Sequence, residues 1–281
     1  MSFIPFNNIK KNLNGNIPKN LIKNIPDKWE KIGEVLILDL PSDLNEHKKS
    51  IGKEYAKVLN CKSVLNVLES ISGEFRTPKT ELIYGKKDTT TIHIENKIRF
   101  KLDPSKVMFS SGNMNERIRI GHIAKKDETI VDMFAGIGYF TLPIAVHSKP
   151  KKIYAIEKNP ISYNFLSENI VLNDVTDTVK IFNGDNRELA PINVADRIIM
   201  GYFGATIRYL PTAFKCLKNK SGIIHFHDKY PDKKIPENAL DDIRIEARKL
   251  NLYVELINTI KVKSYAPGIS HYVFDLKIDE I

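Results

Sequence analysis

The second half of the chain alternates short apolar segments with amphipathic ones. The runs "TIVDM", "KIYAI", "TVKIF", "DRIIM" and "SGIIHF" have the length and β-branched content of buried strands. Helical patterns separate most of them, and one helix follows Asn159 and Pro160, a pair suited to a helix N-terminus. Strands that alternate with helices predict an α/β fold with a mainly parallel sheet. The last two strand patterns, "YVELINTIKVKSY" and "HYVFDLKI", have no helix between them, so we expect them to pair antiparallel.

The first part of the chain has a different pattern. Residues 1–27 are rich in Asn, Lys and Pro, and the first 26 contain no acidic side chain, which predicts a basic, poorly packed N-terminal arm. Residues 28–111 contain strand patterns around one helical segment, which predicts a small α+β domain. Within this domain, one pattern predicts a hairpin with four apolar side chains on one face: Ile92, Ile94, Ile98 and Phe100. Residues 112–281 form the predicted α/β domain.

Charge narrows the class of partner. Hydrophobic residues make up 42% of the 281 positions, enough for a core, and the formal net charge is +9. Polyanions such as nucleic acids are the natural partners of a chain this basic. A lysine-rich genome composition would give the same charge, so charge alone leaves both explanations open.

Other features indicate the cellular compartment. No apolar run approaches the roughly 18 residues that span a bilayer, and the N-terminus lacks a signal-peptide pattern. Cys61 and Cys216 lie far apart without a paired-cysteine motif, which argues against a zinc site or a disulfide framework. We therefore expect a cytoplasmic protein with no bound metal and no membrane contact, and we expect a monomer.

Polar groups follow three consecutive strands of the predicted sheet. Asp132 ends the first, and Gly136 and Gly138 then open a helix, where glycines allow a ligand to approach the backbone. Glu157 ends the second strand, at the place where an acid accepts hydrogen bonds from ribose hydroxyls, and Asp185 with Asn186 ends the third. Individually, Glu157 could cap a helix and the last pair could form a turn. Together they predict an adenosine-bearing cofactor.

Two common nucleotide sites are disfavoured. A dinucleotide fingerprint requires a third glycine at position 141, and Thr141 stands there, which argues against a nicotinamide-linked oxidoreductase. A P-loop is excluded because no Gly-Lys-Ser/Thr sequence follows the glycines.

The motifs resemble a known family. "VDMFAGIGYF", "AIEKNP" and "GDNRE" are similar to the cofactor motifs of class I S-adenosylmethionine-dependent transferases, which have a Rossmann-like fold. Together with "SGEFRTPKTELIYG" and "VMFSSGNMNERIRIG", they resemble the archaeal and eukaryotic tRNA guanosine-37 methyltransferases and their wybutosine-synthesising relatives. The resemblance covers roughly residues 28–281. Family members often have a separate N-terminal domain, and we expect that only the short basic arm could stand for it here.

The resemblance implies a set of site residues. The cofactor-binding set is Ser110, Ser111, Arg117, Asp132, Phe134, Ala135, Gly136, Gly138, Glu157, Lys158, Asp185, Asn186 and Gly201. Within it, the serines and Arg117 would line the methionine end of S-adenosylmethionine. The implied catalytic set is Arg117, Arg119, His122 and Tyr202. The alternative for the two arginines is a solvated helix face, and for His122 a capping or surface position.

The loop "MGYFGAT" after the fourth strand distinguishes the branches of this family. The methyltransferases have an Asn-Pro-type motif here, whereas this loop contains no acid, base or amide side chain and resembles the wybutosine branch. That branch transfers the 3-amino-3-carboxypropyl group of S-adenosylmethionine to 4-demethylwyosine at position 37 of phenylalanine tRNA, releasing methylthioadenosine. Which carbon on sulfur reacts depends on which one is aligned with the nucleophile, so no proton-transferring side chain is required in the loop.

The expected function is therefore tRNA aminocarboxypropyl transfer. The alternatives are guanine-N1 methylation at position 37 and a non-catalytic RNA-binding protein with a residual cofactor pocket. Tyr202 or Phe203 could stack against an extruded base, although core packing explains both equally well. Two lysine clusters could contact tRNA phosphates: Lys149, Lys151 and Lys152, and Lys229, Lys233 and Lys234.

Overall fold

The computed structural model describes residues 5–202 and 204–281, and the chain divides into two compact units. The first unit comprises residues up to 94 together with 99–111, and the second comprises 95–98 and 112–281. No helix in the described ranges is both long and apolar enough to cross a membrane.

The first unit is a four-stranded sheet with helices and an additional strand pair. Its elements are α1 (Pro5–Leu13), β1 (Glu30–Ile32), β2 (Val35–Leu38), α2 (Lys48–Leu59), β3 (Ser63–Ser72), β4 (Thr77–Gly85), β5 (Thr91–Glu95) and β6 (Ile98–Leu102). The sheet order is β1-β2-β3-β4, in which β2 and β3 are parallel and the other pairs antiparallel. Strands β5 and β6 form a separate pair whose connecting residues group with the second unit.

The N-terminal segment differs from its prediction as a poorly packed arm. Helix α1 packs against α2, and both Ile9 and Leu13 are fully buried in the same apolar cluster as Leu36 and Tyr55. Ile9 and Leu13 are four residues apart, so they lie on one helical face and enter the core together. The basic side chains of the segment lie at positions outside this apolar face. The charge of the segment therefore did not predict that the segment packs into the core.

The predicted hairpin face is also wrong in part. Ile98 and Phe100 of β6 are buried, as expected, but Ile92 and Ile94 of β5 are exposed. The buried positions of β5 are Thr91 and Glu95.

The second unit confirms the predicted α/β class and the Rossmann-like, mainly parallel sheet. Its elements are α3 (Met114–Ile120), β7 (Thr129–Asp132), α4 (Thr141–His147), β8 (Lys152–Glu157), α5 (Pro160–Leu172), β9 (Val179–Asn183), α6 (Asn186–Leu189), β10 (Arg197–Met200), α7 (Leu210–Cys216), β11 (Gly222–Pro231), α8 (Glu237–Arg248), β12 (Leu252–Ala266) and β13 (Ile269–Glu280). The sheet order is β12-β13-β11-β10-β7-β8-β9. Only β13 runs antiparallel to its neighbours, β11 and β12.

The strand order places a crevice at the middle of this sheet. From β7 the chain first adds β8 and β9 on one side and later β10 and β11 on the other, which makes β7 and β10 the switch point. Ligands of open α/β sheets bind outside the carboxyl ends of strands at such a point. The carboxyl ends of β7, β8, β9 and β10 bring together the polar groups that the sequence placed at strand ends.

Candidate active site

Asp132 organises the glycine turn from beneath it. The side chain is fully buried, accepts a hydrogen bond from Thr141 Oγ1 to Oδ2 (2.7 Å), and accepts another from the Phe134 amide to Oδ1 (3.3 Å). Burial raises the pKa of this carboxyl to about 6. Asp132 was predicted to bind cofactor, and its contacts are those of a residue that fixes the turn.

The turn itself requires glycine. Gly136 and Gly138 have φ values of 58° and 103°, which side-chain-bearing residues rarely adopt. A Cβ atom at Gly136 would lie 2.4 Å from a ring carbon of Tyr139, and one at Gly138 would lie 2.6 Å from Leu142. Ala135 is buried below the turn. Only glycine therefore fits at both positions, because Tyr139 and Leu142 already fill the space that a side chain would need.

Glu157 lies at the end of β8 and faces the glycine turn. Its Oε2 accepts the amide of Gly136 and its Oε1 accepts the amide of Asn159, both at 2.7 Å. Burial raises the pKa of Glu157 to about 7, and nearby Asp132 adds to the rise. A carboxyl in this position is a hydrogen-bond acceptor with ionisation near neutral pH.

Asp185 and Asn186 have separate roles at the end of β9. Asp185 caps α6 and binds the Arg187 guanidinium (2.6 Å) and Lys158 Nζ (3.3 Å); the hydrogen bond from Arg187 is the main reason that its pKa is lowered. Asn186 is buried and donates from Nδ2 to the Met133 carbonyl (2.9 Å). Within the part of the chain that the structure describes, Asn186 Oδ1 is buried without a hydrogen-bond partner.

These groups fit an adenosine. An orphaned amide oxygen can accept from the amino group of adenine, an acid at the end of β8 can accept from ribose hydroxyls, and the glycine backbone leaves space for the connecting atoms. A metal site is not indicated: no group of three or more His, Cys, Asp or Glu side chains suited to a metal occurs in residues 5–202 and 204–281.

Aromatic side chains line the loop after β10. The Tyr202 ring stacks on the Phe134 ring with centroids 4.9 Å apart and an angle of 16° between planes, and Tyr209 packs edge-on against both. A Cβ atom at Gly201 would lie 2.6 Å from the Phe140 ring, so only glycine fits there without displacing that ring. Phe203, the other predicted stacking residue, lies outside the described residues.

Asp228, within β11, holds this loop, and the sequence patterns did not predict that role. Its Oδ1 accepts the Gly204 amide (3.2 Å) and its Oδ2 accepts the Thr206 amide (3.0 Å). The hydroxyl of Thr206 donates to the Tyr202 carbonyl (2.9 Å), and Ala205 between them has a φ of 77°. The signal in the sequence was an acid after a buried apolar strand, "IIHFHD", but its partners are more than twenty residues earlier.

The predicted arginines have carboxylate partners. Arg117 is 2% exposed and donates from Nε and Nη2 to the two oxygens of Glu95, at 2.7 and 2.6 Å. Arg119 donates to both Glu116 oxygens (2.8 and 2.7 Å) and to Asp275 Oδ2 (2.8 Å). These are buried and half-buried ion pairs rather than a solvated helix face, so that alternative is wrong.

The remaining predicted residues have local contacts. His122 is exposed, its Nδ1 lies 2.8 Å from the Ile118 carbonyl oxygen, and its ring stacks on His147 at 4.7 Å. Ser110 and Ser111 belong to the first unit, where the Ser111 amide donates to Glu30 (3.2 Å). Their assignment to the methionine end and that of His122 to catalysis stay predictions.

A buried polar chain connects the strands behind the crevice. Glu128 binds Arg197 through two hydrogen bonds (2.8 and 2.9 Å), Arg197 Nη1 lies 2.8 Å from His225 Nε2, and His225 Nδ1 lies 2.5 Å from Asp275. Burial lowers the pKa of His225, so the ring is neutral. Arg197 can only donate and Asp275 accepts, which places the proton on Nδ1. Arg119 completes the chain at Asp275.

The chain matches two protein-family models: the TRM5/TYW2 methyltransferase domain over residues 91–256 and the TYW2 N-terminal domain over residues 9–89. It is 44% identical over 270 residues to a tRNA(Phe) (4-demethylwyosine(37)-C(7)) aminocarboxypropyltransferase of Pyrococcus horikoshii, covering 96% of each protein. The crystal structure of P. horikoshii TYW2 in complex with MeSAdo is 42% identical, with a TM-score of 0.88 and coverage of 98% of this chain and 100% of that one. Trm5b from Pyrococcus abyssi is 34% identical, with a TM-score of 0.82 over 94% of this chain and 78% of that one.

Proposed function

Because this chain belongs to the TRM5/TYW2 family, we propose that it transfers the 3-amino-3-carboxypropyl group of S-adenosylmethionine to 4-demethylwyosine at position 37 of phenylalanine tRNA. It is an S-adenosylmethionine-dependent transferase that modifies tRNA. One observation supports aminocarboxypropyl over methyl transfer most directly. The loop after β10 is held in place by Asp228 through its backbone, and between Ile198 and Ala205 the sequence has no carboxyl, imidazole, amine or amide side chain that could take a proton from a base nitrogen.

Different residues of the crevice bind and orient different parts of the cofactor. S-adenosylmethionine supplies a carbon beside a sulfonium, so that methylthioadenosine leaves without protonation when the bond to sulfur breaks. Ionised Glu157 would accept hydrogen bonds from the ribose hydroxyls, Asn186 Oδ1 would accept from adenine, and the backbone at Gly136 and Gly138 would hold the connecting atoms. The orientation of the bound cofactor then determines which carbon faces the base. Correct orientation of the reacting groups lowers the activation barrier by several kcal/mol.

We assign structural roles, instead of the predicted cofactor-binding or catalytic roles, to three residues. Asp132 fixes the glycine turn, and Arg117 and Arg119 hold α3 through Glu95 and Asp275 instead of contacting the reacting groups. Tyr202, stacked on Phe134, presents a flat aromatic surface beside the crevice and is the residue that we assign to base contact.

We further propose that the enzyme acts as a cytoplasmic monomer on the anticodon region. Sedimentation at several protein concentrations should give the mass of a single chain, 32.1 kDa; a dimer mass would contradict the monomer.

Split labelling tests the reaction. The protein is incubated with phenylalanine tRNA bearing 4-demethylwyosine, and separately with unmodified tRNA, in parallel reactions with S-adenosylmethionine labelled in its carboxyl carbon or in its methyl group. We expect carboxyl label in the precursor tRNA and an equal amount of methylthioadenosine. Methyl label in unmodified tRNA would instead make the protein a guanine methyltransferase, and no label in either tRNA would leave only RNA binding.

Affinity for methylthioadenosine should depend on pH through Glu157. The pKa of this group in the unliganded protein is about 7, and ribose binding favours the ionised form, so binding releases a proton below pH 7. Affinity should therefore rise about tenfold from pH 6 to pH 8 and become level above that. Calorimetry measures this affinity at each pH, and the affinity of Glu157→Gln should not change with pH. A wild-type affinity that does not rise from pH 6 to pH 8 would contradict the assignment of Glu157 to the ribose.

Replacing Asp228 by alanine should impair transfer without weakening cofactor binding. The change removes both acceptors for the Gly204 and Thr206 amides, so the loop loses its fixed position while the adenosine contacts stay. We expect kcat/KM for tRNA to fall by about 10- to 100-fold, as misplaced positioning groups do. Methylthioadenosine affinity should change less than about twofold by the same reasoning.

Asp228→Asn provides the matched comparison for this prediction. Asparagine keeps one carbonyl acceptor, so one of the two amide bonds can persist and the loss in kcat/KM should be intermediate. Equal kcat/KM values for the wild type and Asp228→Ala would mean that the loop position is set by other contacts.

A further inference from the structure

Three strands extend past the crevice on one side. Strand β10 ends at Met200, paired with Phe226, whereas β11 continues through five more residues to Pro231 and stays paired with β13. Five residues at about 3.3 Å each extend the sheet roughly 16 Å beyond β10. Strand β12 runs alongside β13 to the hairpin end. We define this extension, residues 227–234 and 260–273, as the wing.

The wing lies on the reactive edge of the sheet. Because β11 is parallel to β10, its end points to the same side as the loop after β10, and the β12–β13 hairpin turns on that side too. A direct contact also joins them: Asp228, within the wing, accepts the amides of Gly204 and Thr206. A macromolecule whose base enters the crevice would therefore meet the wing.

The wing is strongly basic. It contains five lysines and two aspartates: Lys229, Lys233, Lys234, Lys261, Lys263, Asp228 and Asp232. Both aspartates are engaged within the unit, Asp228 by the loop amides and Asp232 by Lys261 Nζ (3.0 Å) and the Tyr272 hydroxyl (2.9 Å). The charge that the wing presents outward is therefore positive, and this suits a phosphate backbone.

An aromatic ring stands among these lysines. Tyr265 lies next to the end of β12, its side chain is 51% exposed, and Lys229 Nζ is 4.6 Å from its ring centroid. An exposed aromatic ring next to a cation, on a basic surface, is the combination with which proteins hold unstacked bases of single-stranded RNA.

We propose that the wing docks the anticodon loop, with an unpaired base stacked on the Tyr265 ring and the wing lysines along the adjacent phosphates. This inference rests on the proposed function, since it takes tRNA as the substrate. It adds a second point of contact beside the crevice, which fixes the loop while the base at position 37 is in the site.

The test measures binding of the full-length protein to an unmodified phenylalanine tRNA transcript and to its isolated anticodon stem-loop. Tyr265→Ala should weaken both affinities about tenfold, because stacking contributes about 1–3 kcal/mol per base. Tyr265→Trp, which keeps a stacking face, should retain them. Tyr253→Ala is the matched control: Tyr253 is 57% exposed on the same strand but at its opposite end, opposite Asp279.

Salt dependence tests the lysines. Lys233→Gln with Lys234→Gln should lower the slope of log K against log salt by about 1.4, that is about 0.7 for each phosphate contact on a single strand. Lys218→Gln with Lys220→Gln removes the same charge at the start of β11, the opposite edge of the sheet, and should change the slope much less.

The outcomes separate this inference from the reaction. If Tyr265→Ala binds RNA as well as Tyr253→Ala does, or if both lysine pairs change the slope equally, the wing is not the docking surface, whatever the wild type transfers. If the wild type transfers no carboxyl label but Tyr265→Ala still binds RNA more weakly, the proposed reaction fails and the wing stands. Methylthioadenosine affinity should be unchanged in every wing variant; a loss would indicate damage to the crevice instead.

Discussion

Glu157→Ala should reduce the affinity for methylthioadenosine by about 100-fold or more. In the proposed complex the carboxylate accepts two ribose hydroxyls, and each hydrogen bond to a charged acceptor contributes about 1.5–3 kcal/mol. Loss of both therefore removes at least about 3 kcal/mol. Glu157 is half-buried at the end of β8, so water can bind the Gly136 and Asn159 amides in its place and the variant should remain folded.

Calorimetry with methylthioadenosine, together with a thermal unfolding curve of the unliganded variant, measures both parts of this expectation. Glu168→Ala is the control, because Glu168 is an exposed acid on the helix that follows Glu157. Equal affinities for these two variants would remove Glu157 from the site. A large fall in melting temperature for Glu157→Ala would mean that the main role of this side chain is to stabilise the fold.

Asp275→Ala should lower the free energy of unfolding by about 3–5 kcal/mol, the usual cost of removing one partner from a buried ion pair. Burial opposes ionisation of Asp275, but hydrogen bonds from His225 and Arg119 outweigh it, and the pKa of this carboxyl is lowered. Without the carboxylate, the His225 N–H and the Arg119 guanidinium lose their shared acceptor inside the unit.

Urea unfolding at neutral pH measures this loss. Asp279→Ala is the matched control, four residues further along β13, where the carboxylate pairs with the half-exposed Lys277 and water can take its place. Similar unfolding free energies for the two variants would show that the buried chain from Glu128 to Arg119 adds no stability. Loss of transfer in Asp275→Ala at temperatures where it is folded would show that α3 must be held for activity.

The local pattern of the sequence was sufficient for the fold class, and the resemblance of its motifs to a known family was sufficient for the family. Alternating strands and helices, with glycines after β7 and acids after β8 and β9, predicted a mainly parallel sheet and an adenosine-bearing cofactor. The structure confirms the sheet, and the relatives confirm the family and its cofactor. Strand and helix periods are local properties, and the carboxyl ends of parallel strands must meet at one edge, so residues such as Glu157 and Asn186 could be brought together without knowledge of the packing.

Side-chain partners distant in the sequence could not be predicted in this way. The period of β5 placed Ile92 and Ile94 inside, yet Glu95 is buried there because Arg117 neutralises it. A solvated helix face was the alternative prediction for Arg119. Its partner in the structure, Asp275, lies 156 positions later in the chain. Nothing near Asp228 in the sequence indicates that it would hold the loop after β10.

The chemistry of the residues, the alternation of strands with helices and the edge of the sheet where the strands end were thus determined by the sequence alone, because hydrophobic period and turn residues act over a few positions. The tertiary structure alone decided three other features. These are the pairing of buried charges, the packing of the basic N-terminal segment into a core, and the fixing of the loop after β10. A buried charge is stable only next to its partner, and that partner is chosen by packing across the sheet rather than by spacing along the chain.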